Sequence, residues 1–178
     1  MKCLETACLK DISTAIRMSE EKRKHIVGML VKDEPGVLAK ISGLFTRRGF
    51  NIDTIVVGKT NLKGISHIVI SLQGDERTIE QLDKQVAKLE DVVKLADFKE
   101  EESIVREHCL LKINSAESIQ KLEKACKKHN ASILHTNHKF AIVELVEEPE
   151  KIDAFVQEMA AFGIKELSRS GINALKKE

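Results

Sequence analysis

The chain has 178 residues, of which 42% are apolar, and this suffices for one ordinary domain or for two small ones of roughly 75 residues each. Its 29 lysines and arginines balance 28 acidic residues, so the net charge of +1 does not indicate bulk attraction to nucleic acid or to an anionic membrane. Hydrophobic runs fall short of the roughly 18 residues of a membrane span, and no signal-peptide core opens the chain, so we expect a cytoplasmic protein.

The N-terminal part of the chain is polar and weakly patterned, and we predict that residues 1–23 form a poorly ordered extension. A short amphipathic helix around Ile12 is the alternative. The four cysteines include no C-x-x-C pair and are expected to be reduced in a cytosolic chain. Cys109 and Cys126 fall in apolar patterns, which predicts that they fill hydrophobic cores.

A first unit with the element order βαββαβ follows, which is the ferredoxin-like arrangement. Its predicted elements are a strand at residues 25–31, a helix between Pro35 and Gly49, strands at 52–57 and 65–72, a helix after Gly74, and a strand at 92–98. Pro35 suits the first turn of a helix because its missing N–H costs little there. Gly49 is typical of the residue that ends a helix.

The same order returns after a charged break at residues 99–103, so we predict a second ferredoxin-like unit. Its predicted elements are a strand at 107–113, a helix at 119–129, a hairpin of strands 133–136 and 139–146, a helix opening at Pro149, and a strand at 164–170. The two units share element order and little residue identity. We therefore predict an α+β protein with two tandem domains, at residues 24–99 and 103–173.

Each predicted sheet carries both helices on one face and leaves the other face uncovered. In strand 65–72, Ile68, Ile70 and Leu72 can fill the core, whereas Val69 leaves apolar character on the outside. Two such small units rarely bury enough surface alone. We expect dimerisation, either sheet to sheet or edge to edge, to cover the remainder.

The turn before the first helix predicts a binding function. A tight Pro35-Gly36 turn exposes backbone N–H groups at the start of a helix, where they attract a small anion. Asn51 opens a neighbouring strand and can enter the same crevice. The chemistry available there is recognition of an amino acid and not its conversion.

The sequence contains none of the common catalytic motifs. The P-loop, the dinucleotide-binding glycine motif, the nucleophile elbow and the H-E-x-x-H zinc motif are all absent from the sequence. His135 and His138 have ligand-like spacing and could hold a metal with Cys126 or His129, but a polar hairpin turn is the favoured interpretation. No set of nucleophile, base and orienting residue follows from the spacing.

Two charged clusters also admit two interpretations. The acidic run at residues 147–150 could bind a cation, but acidic residues at a helix start are favoured because they interact well with the helix dipole. The basic clusters at residues 22–24 and 47–48 could contact phosphate. Without interleaved aromatic residues they are more typical of a solvated face.

Four segments together resemble one known family. They are Asp-Glu-Pro-Gly-Val-Leu at residues 33–38, Gly-Leu-Phe-Thr-Arg-Arg-Gly-Phe-Asn-Ile-Asp at 43–53, Gln-Leu-Asp-Lys-Gln-Val-Ala-Lys-Leu-Glu-Asp-Val at 81–92, and Ser-Arg-Ser-Gly at 168–171. Residues 24–173 are similar to the regulatory, or small, subunit of acetolactate synthase, also called acetohydroxyacid synthase. The first of these segments alone would be weak, because ACT domains are common among amino-acid sensors.

The resemblance implies an ACT domain followed by a C-terminal ferredoxin-like domain, which agrees with the predicted tandem. It implies a chain without its own catalysis that binds and activates the large subunit of acetolactate synthase. Thiamine diphosphate, magnesium and FAD are then expected in the large subunit, and no cofactor or metal in this chain. It further implies a homodimer formed through the ACT domains and feedback inhibition by a branched-chain amino acid, with valine first.

The resemblance also assigns effector-binding positions. The N–H groups of Gly36, Val37 and Leu38 would bind the carboxylate of the amino acid. Asn51, with Ile52 alongside, would hydrogen-bond the polar end of the ligand from the partner subunit. The alternative is that Gly36 and Asn51 are turn and strand-start residues without a ligand.

The chain departs from the family at Asp33, where many members have asparagine. A carboxylate there would repel the carboxylate of a ligand, so it would favour the ammonium group or simply cap the helix. Arg169 in the Ser-Arg-Ser-Gly segment is a candidate contact with the large subunit, and a surface arginine closing the last strand is the alternative.

Two other functional classes remain as alternatives. One is a stand-alone ACT-type sensor that regulates another enzyme or transcription, although residues 1–23 are too short and too weakly basic for a helix-turn-helix. The other is an enzyme in its own right, which the absence of catalytic motifs disfavours.

Overall fold

The computed structural model describes residues 23–114 and 119–178 and contains two four-stranded antiparallel sheets, each with two helices. The order βαββαβ occurs twice, so the predicted tandem of ferredoxin-like domains is confirmed. The predicted N-terminal extension and its alternative helix lie almost wholly outside the described residues, as do Cys3, Cys8 and Lys22.

The first domain packs two helices on one face of its sheet. Its elements are β1 Arg23–Lys32, α1 Val37–Arg47, β2 Ile52–Lys59, β3 Ile65–Gly74, α2 Glu76–Val86 and β4 Val92–Asp97. The strands lie in the order β2-β3-β1-β4, so β2 and β4 are the edges. The apolar stripes of both helices bury Ile41, Phe45 and Leu82 against the predicted core residues of β3.

The second domain repeats this arrangement. Its elements are β5 Ser103–Asn114, α3 Ile119–Lys128, β6 Ser132–Thr136, β7 Phe140–Glu147, α4 Pro149–Met159 and β8 Ile164–Lys176, with single 3₁₀ turns at Glu100–Glu102 and Ala160–Phe162. The strand order is β6-β7-β5-β8. Cys109 and Cys126 are buried in its core as free thiols, which confirms their prediction, and burial raises the pKa of the Cys126 thiol to about 11.

The structure corrects the predicted start of α1 and confirms its predicted end. Pro35 lies in the turn before the helix and not in its first turn, because Gly36 adopts a left-handed conformation with φ of 90° and precedes the first helical residue. At the other end Gly49 has φ of 73°, and its N–H donates to the carbonyl of Thr46. This left-handed glycine ends the helix as predicted.

The outer face of the first sheet is covered by the chain itself. Strand β8 extends six residues beyond its predicted end at residue 170, and this extension carries Ile172 and Ala174 onto the face opposite the helices. There they pack against Ile26, Val69 and Phe98. Val69, which the sequence placed on an open surface, is therefore only 1% exposed. This part of the sheet does not need a second chain to cover it.

Candidate functional site

The predicted effector site lies on the loop between β1 and α1. Asp33 is exposed, and its backbone N–H donates to the carbonyl of Gly64 at 2.9 Å, which ties the loop to the β2–β3 turn. The side chain of Asp33 does not cap the helix, since Gly36 is the capping residue and no side-chain cap is present. The capping alternative for Asp33 is therefore wrong.

The start of α1 leaves backbone donors available. The first intrahelical bond runs from the N–H of Lys40 to the carbonyl of Gly36 at 3.0 Å, and the N–H of Val37 makes a long 3.4 Å bond to Glu34. Within the described residues, the N–H groups of Gly36 and Leu38 make no hydrogen bond. Such orphan donors at the positive end of a helix favour an anionic ligand group.

Two apolar side chains at this turn differ in exposure. Val37 is buried in the core of the first domain, which fixes the position of the first helical turn. Leu38 is 44% exposed and stands beside the unpaired amides. The turn therefore offers both polar donors and an apolar surface to a small molecule.

Asn51 and Ile52 lie at the opposite end of the sheet. Ile52 pairs with Leu72, which pairs with His25 near the beginning of β1, whereas the Gly36 loop follows the end of β1. The two groups are separated by the length of α1, about 16 Å for its eleven residues. One chain therefore does not bring Asn51 to Gly36, and a shared site needs a second chain, as the resemblance implies.

An ion pair missed by the sequence reasoning holds the helix start in place. The ammonium of Lys40 lies 2.7 Å from a carboxylate oxygen of Asp91, whose side chain is mostly buried, and this hydrogen bond raises the pKa of Lys40. The backbone carbonyl of Asp91 also accepts the N–H of Lys32. Asp91 belongs to the matched run at 81–92, but no local pattern indicates its distant partner.

The free edge of the first sheet is apolar on its helix side. Ile55 and Val57 of β2 pair with Ile70 and Ile68 of β3, so they share the face that the helices cover, yet both stay exposed at the edge. Val57 is 49% exposed. An edge strand with unpaired backbone groups and exposed apolar side chains is a natural place for another strand to add.

The Ser-Arg-Ser-Gly segment at residues 168–171 lies where the two domains contact each other. The Oγ of Ser170 accepts the backbone N–H of His108 at 3.1 Å, next to an irregularity in the β5–β8 ladder. Gly171 has φ of 84°, and a Cβ there would stand 3.1 Å from side-chain atoms of Thr54 and Val56 on β2. Only glycine suits both the conformation and the close approach.

Arg169 of the same segment is anchored inside its own domain. Its Nε donates to Glu107 at 2.9 Å, and its other nitrogens contact Glu107 and Asp153. Glu107 is only 3% exposed, and the hydrogen bonds to it raise the pKa of Arg169. Arg169 is therefore not a free surface arginine, and its contact with a large subunit stays a prediction.

The histidine and acidic clusters occupy structural positions. His129 lies 2.8 Å from Glu158, and the ring of His135 packs near Phe140 in the β6–β7 hairpin. Among the described residues, no three His, Cys, Asp or Glu side chains are grouped so that they could hold a metal ion. The acidic run at 147–150 lies at the start of α4, where Glu147 pairs with Lys151.

The helices of the described residues include none that is long and apolar enough to span a membrane.

Comparison with known proteins yields two family models that together match most of the chain. A model described as an AHAS small subunit-like ACT domain matches residues 27–94. A second, described as the small subunit of acetolactate synthase, matches residues 106–178. The two matches fall on the first and second sheets, respectively.

Individual relatives agree with these models over nearly the whole chain. A probable acetolactate synthase small subunit from Methanothermobacter thermautotrophicus is 38% identical over 159 residues, which cover 88% of this chain and 95% of the relative. The acetolactate synthase small subunit of Mycolicibacterium smegmatis is 34% identical over 156 residues, or 87% of this chain and 93% of that one. The crystal structure of an acetolactate synthase small subunit from Thermotoga maritima superimposes with a TM-score of 0.82 at 36% identity and covers 88% of this chain and 98% of that chain.

Proposed function

Because the chain belongs to the family of acetolactate synthase small subunits, we propose that it binds the large catalytic subunit and raises its activity. The chain itself carries out no reaction in this proposal, and thiamine diphosphate, magnesium and FAD reside in the large subunit. A branched-chain amino acid, with valine as the first candidate, binds the ACT domains of a cytoplasmic homodimer and lowers the activity of the complex.

The observation that carries the effector proposal is the unpaired start of α1. The amides of Gly36 and Leu38 offer donors to a carboxylate, and Leu38 offers an apolar surface to a branched side chain. The exposed carboxylate of Asp33 stands at the same loop and suits the ammonium group of an amino acid. These groups match the three parts of a free aliphatic amino acid.

The topology of the first sheet supports a site shared by two chains. If β2 pairs with β2 of a second copy in the antiparallel sense, the partner's Asn51 arrives at the end of the sheet that carries Gly36. The exposed Ile55 and Val57 then become buried at the same edge. A single twofold-symmetric contact thus covers the apolar edge of both chains and completes two equivalent sites, one for each Gly36 loop.

Strand β2 also offers a route from this site to the second domain. Asn51 and Ile52 begin the strand, and Thr54 follows two residues later with its Oγ 2.6 Å from Ser71 Oγ and 3.5 Å from the N–H of Ile172. A ligand that shifts the start of β2 therefore acts next to β8. An effector regulates only by binding one arrangement better than another, and a coupling of about 1–3 kcal/mol suffices for a 5- to 150-fold change.

Reconstitution with an acetolactate synthase large subunit tests the proposal. We expect the purified chain to associate with the large subunit and to raise acetolactate formation, and valine to reverse the rise. No association and no rise would instead favour the stand-alone sensor. Association with activation but without a response to valine, leucine or isoleucine would reject the effector part alone.

Replacing Asn51 by alanine separates effector binding from activation. Asn51 is exposed, so the N51A chain should fold and activate normally, while the concentration of valine needed for half-inhibition should rise about tenfold for one lost hydrogen bond to a charged ligand. Asn173→Ala on β8 removes a matched exposed amide outside the site and should leave the valine response unchanged. Equal valine responses of N51A and the unsubstituted chain would contradict the assignment.

A further inference from the structure

The two domains enclose a second cleft that is separate from the Gly36 loop. It has a volume of about 780 Å³, within the size range of metabolite sites, and lies between the start of β1 and the end of β4 on one side and the starts of β5 and α4 on the other. Ile26 and Phe98 form part of its wall, so the cleft is continuous with the apolar contact between the domains.

Positive charge predominates along this interdomain cleft. Five lysine or arginine side chains line it against three carboxylates. Arg106 lies 3.3 Å from Glu148 and Lys24 lies 3.9 Å from Glu150, so two of the carboxylates are already paired. Within the described part of the chain, neither Lys99 nor Lys177 has a carboxylate within ion-pair distance, although Lys177 donates to a backbone carbonyl.

A buried polar atom beside the same cleft lacks a partner. The hydroxyl of Ser103, which lines the cleft, belongs to a residue that is only 5% exposed, and it has no hydrogen-bond partner in the described structure. A buried polar group without a partner costs free energy, so each such group in a native protein calls for an explanation. A ligand in the cleft supplies one.

We propose that the interdomain cleft binds a small phosphorylated metabolite with an apolar portion. A phosphate monoester carries nearly two negative charges and three acceptor oxygens, which suit Lys99, Lys177 and the unpartnered hydroxyl of Ser103. Phe98 and Ile26 receive the apolar portion. This ligand bridges the two domains and is distinct from the amino acid proposed for the Gly36 loop, so the inference stands or falls without that proposal.

Titration of the full chain with phenyl phosphate, by calorimetry and by thermal shift, tests the inference. We expect saturable binding that is tighter than that of inorganic phosphate, which lacks the apolar portion, and than that of benzoate, which carries one charge. Valine should not compete. Absence of binding, equal binding of benzoate, or displacement by valine would each overturn the assignment.

Variants in the cleft identify the residues. Lys99→Gln should weaken phenyl phosphate binding about tenfold, whereas Lys88→Gln, which removes an equal exposed charge outside the cleft, should not change it. Ser103→Ala should weaken binding and also raise the melting temperature of the ligand-free chain, because it removes a buried hydroxyl without a partner. A lower melting temperature for S103A, or equal effects of K99Q and K88Q, would contradict the proposal.

Discussion

The guanidinium of Arg169 joins carboxylates from two different elements. Glu107 lies on β5 and Asp153 on α4, so the arginine ties β8 to the centre of its sheet and to the helix above it. Because the side chain of Glu107 is buried, its negative charge would be costly without the positive charge of Arg169 beside it. The family-like Ser-Arg-Ser-Gly segment thus has a structural role in this chain whatever else it contacts.

Replacing Arg169 by methionine should cost about 3 kcal/mol of unfolding free energy, because a buried carboxylate loses its partner while the arginine itself is 31% exposed. Denaturant unfolding measures the loss. Arg106→Met removes an exposed pair with Glu148 and should cost well under about 1 kcal/mol. Equal losses in the two variants would show that the burial of Glu107 does not matter.

Asp83 is a half-buried carboxyl near other acids. Burial, with the charge of Asp97, raises its pKa to about 6, and His25 nearby offsets this only in part. The folded state therefore holds this proton more tightly than the unfolded state, whose Asp pKa is about 3.8. Stability from this group is fully present below pH 4 and is lost as the pH rises through 6.

Replacing Asp83 by asparagine should raise unfolding free energy at pH 7.5 by about 1 kcal/mol, a value reduced for partial solvent exposure. The gain should shrink as the pH falls through 6 and vanish at about pH 3, where the carboxyl is mostly protonated in both states. Unfolding curves over this pH range measure the effect, and exposed Asp53→Asn serves as the control. A gain that persists unchanged at about pH 3 would exclude a titrating carboxyl as its cause.

At the scale of single residues, the sequence predicted the turn of the candidate site but not the ion pairs that hold the surrounding elements in place. Pro35 and Gly36 mark the turn through local backbone preferences, which a sequence displays directly. The Lys40–Asp91 pair spans 51 residues, and the Arg169–Glu107 pair spans 62. Such partners depend on strand order and register, so they could not be read from spacing.

At the level of elements, Phe98, which directly follows β4, packs closely on the neighbouring strand β1. The ring of Phe98 lies directly over Gly28, and a Cβ on Gly28 would stand 2.1 Å from a ring carbon. Glycine usually weakens a strand, but here it admits an aromatic ring into the contact between the domains.

Gly28→Ala should therefore destabilise the chain by about 1–3 kcal/mol through overpacking. The double variant with Phe98→Leu should recover part of this loss, because a smaller side chain makes room for the methyl group. Gly58→Ala, on an edge strand with no atom within 4 Å of the new Cβ, is the matched control and should be neutral or slightly stabilising. Thermal and denaturant unfolding compare the four chains, and equal losses in G28A and G58A would refute the contact.

Element order was predictable because periodicity is local, but the extent of β8 was not. The sequence predicted a strand at residues 164–170 and did not extend it further. The strand continues because Ile172 and Ala174 find a surface on the other domain. In this extension neither strand face is clearly polar, because Asn173 shares its face with the apolar Leu175. Only the tertiary contact therefore reveals that the face of Ile172 and Ala174 is the buried one.

At the scale of the whole molecule, β2 remains the edge to which a second copy can add. Val57→Lys places a charge on that edge and should convert a dimer to monomers at micromolar concentration. Val93→Lys makes the same change on β4, the opposite edge, and should leave the dimer intact. Light scattering after size-exclusion chromatography measures the mass, and monomers from V93K alone would assign the dimer to the other edge.

The packing of β8 on the outer face of the first sheet has a consequence for synthesis of the protein. Phe98 is the last of its three partners there to leave the ribosome, and it does so about 70 residues ahead of Ile172, a delay of several seconds at ordinary rates of translation. During that interval the nascent N-terminal domain presents a bare hydrophobic patch. Chaperones that capture such patches should associate with the growing polypeptide in this window and release it once the last strand is in place.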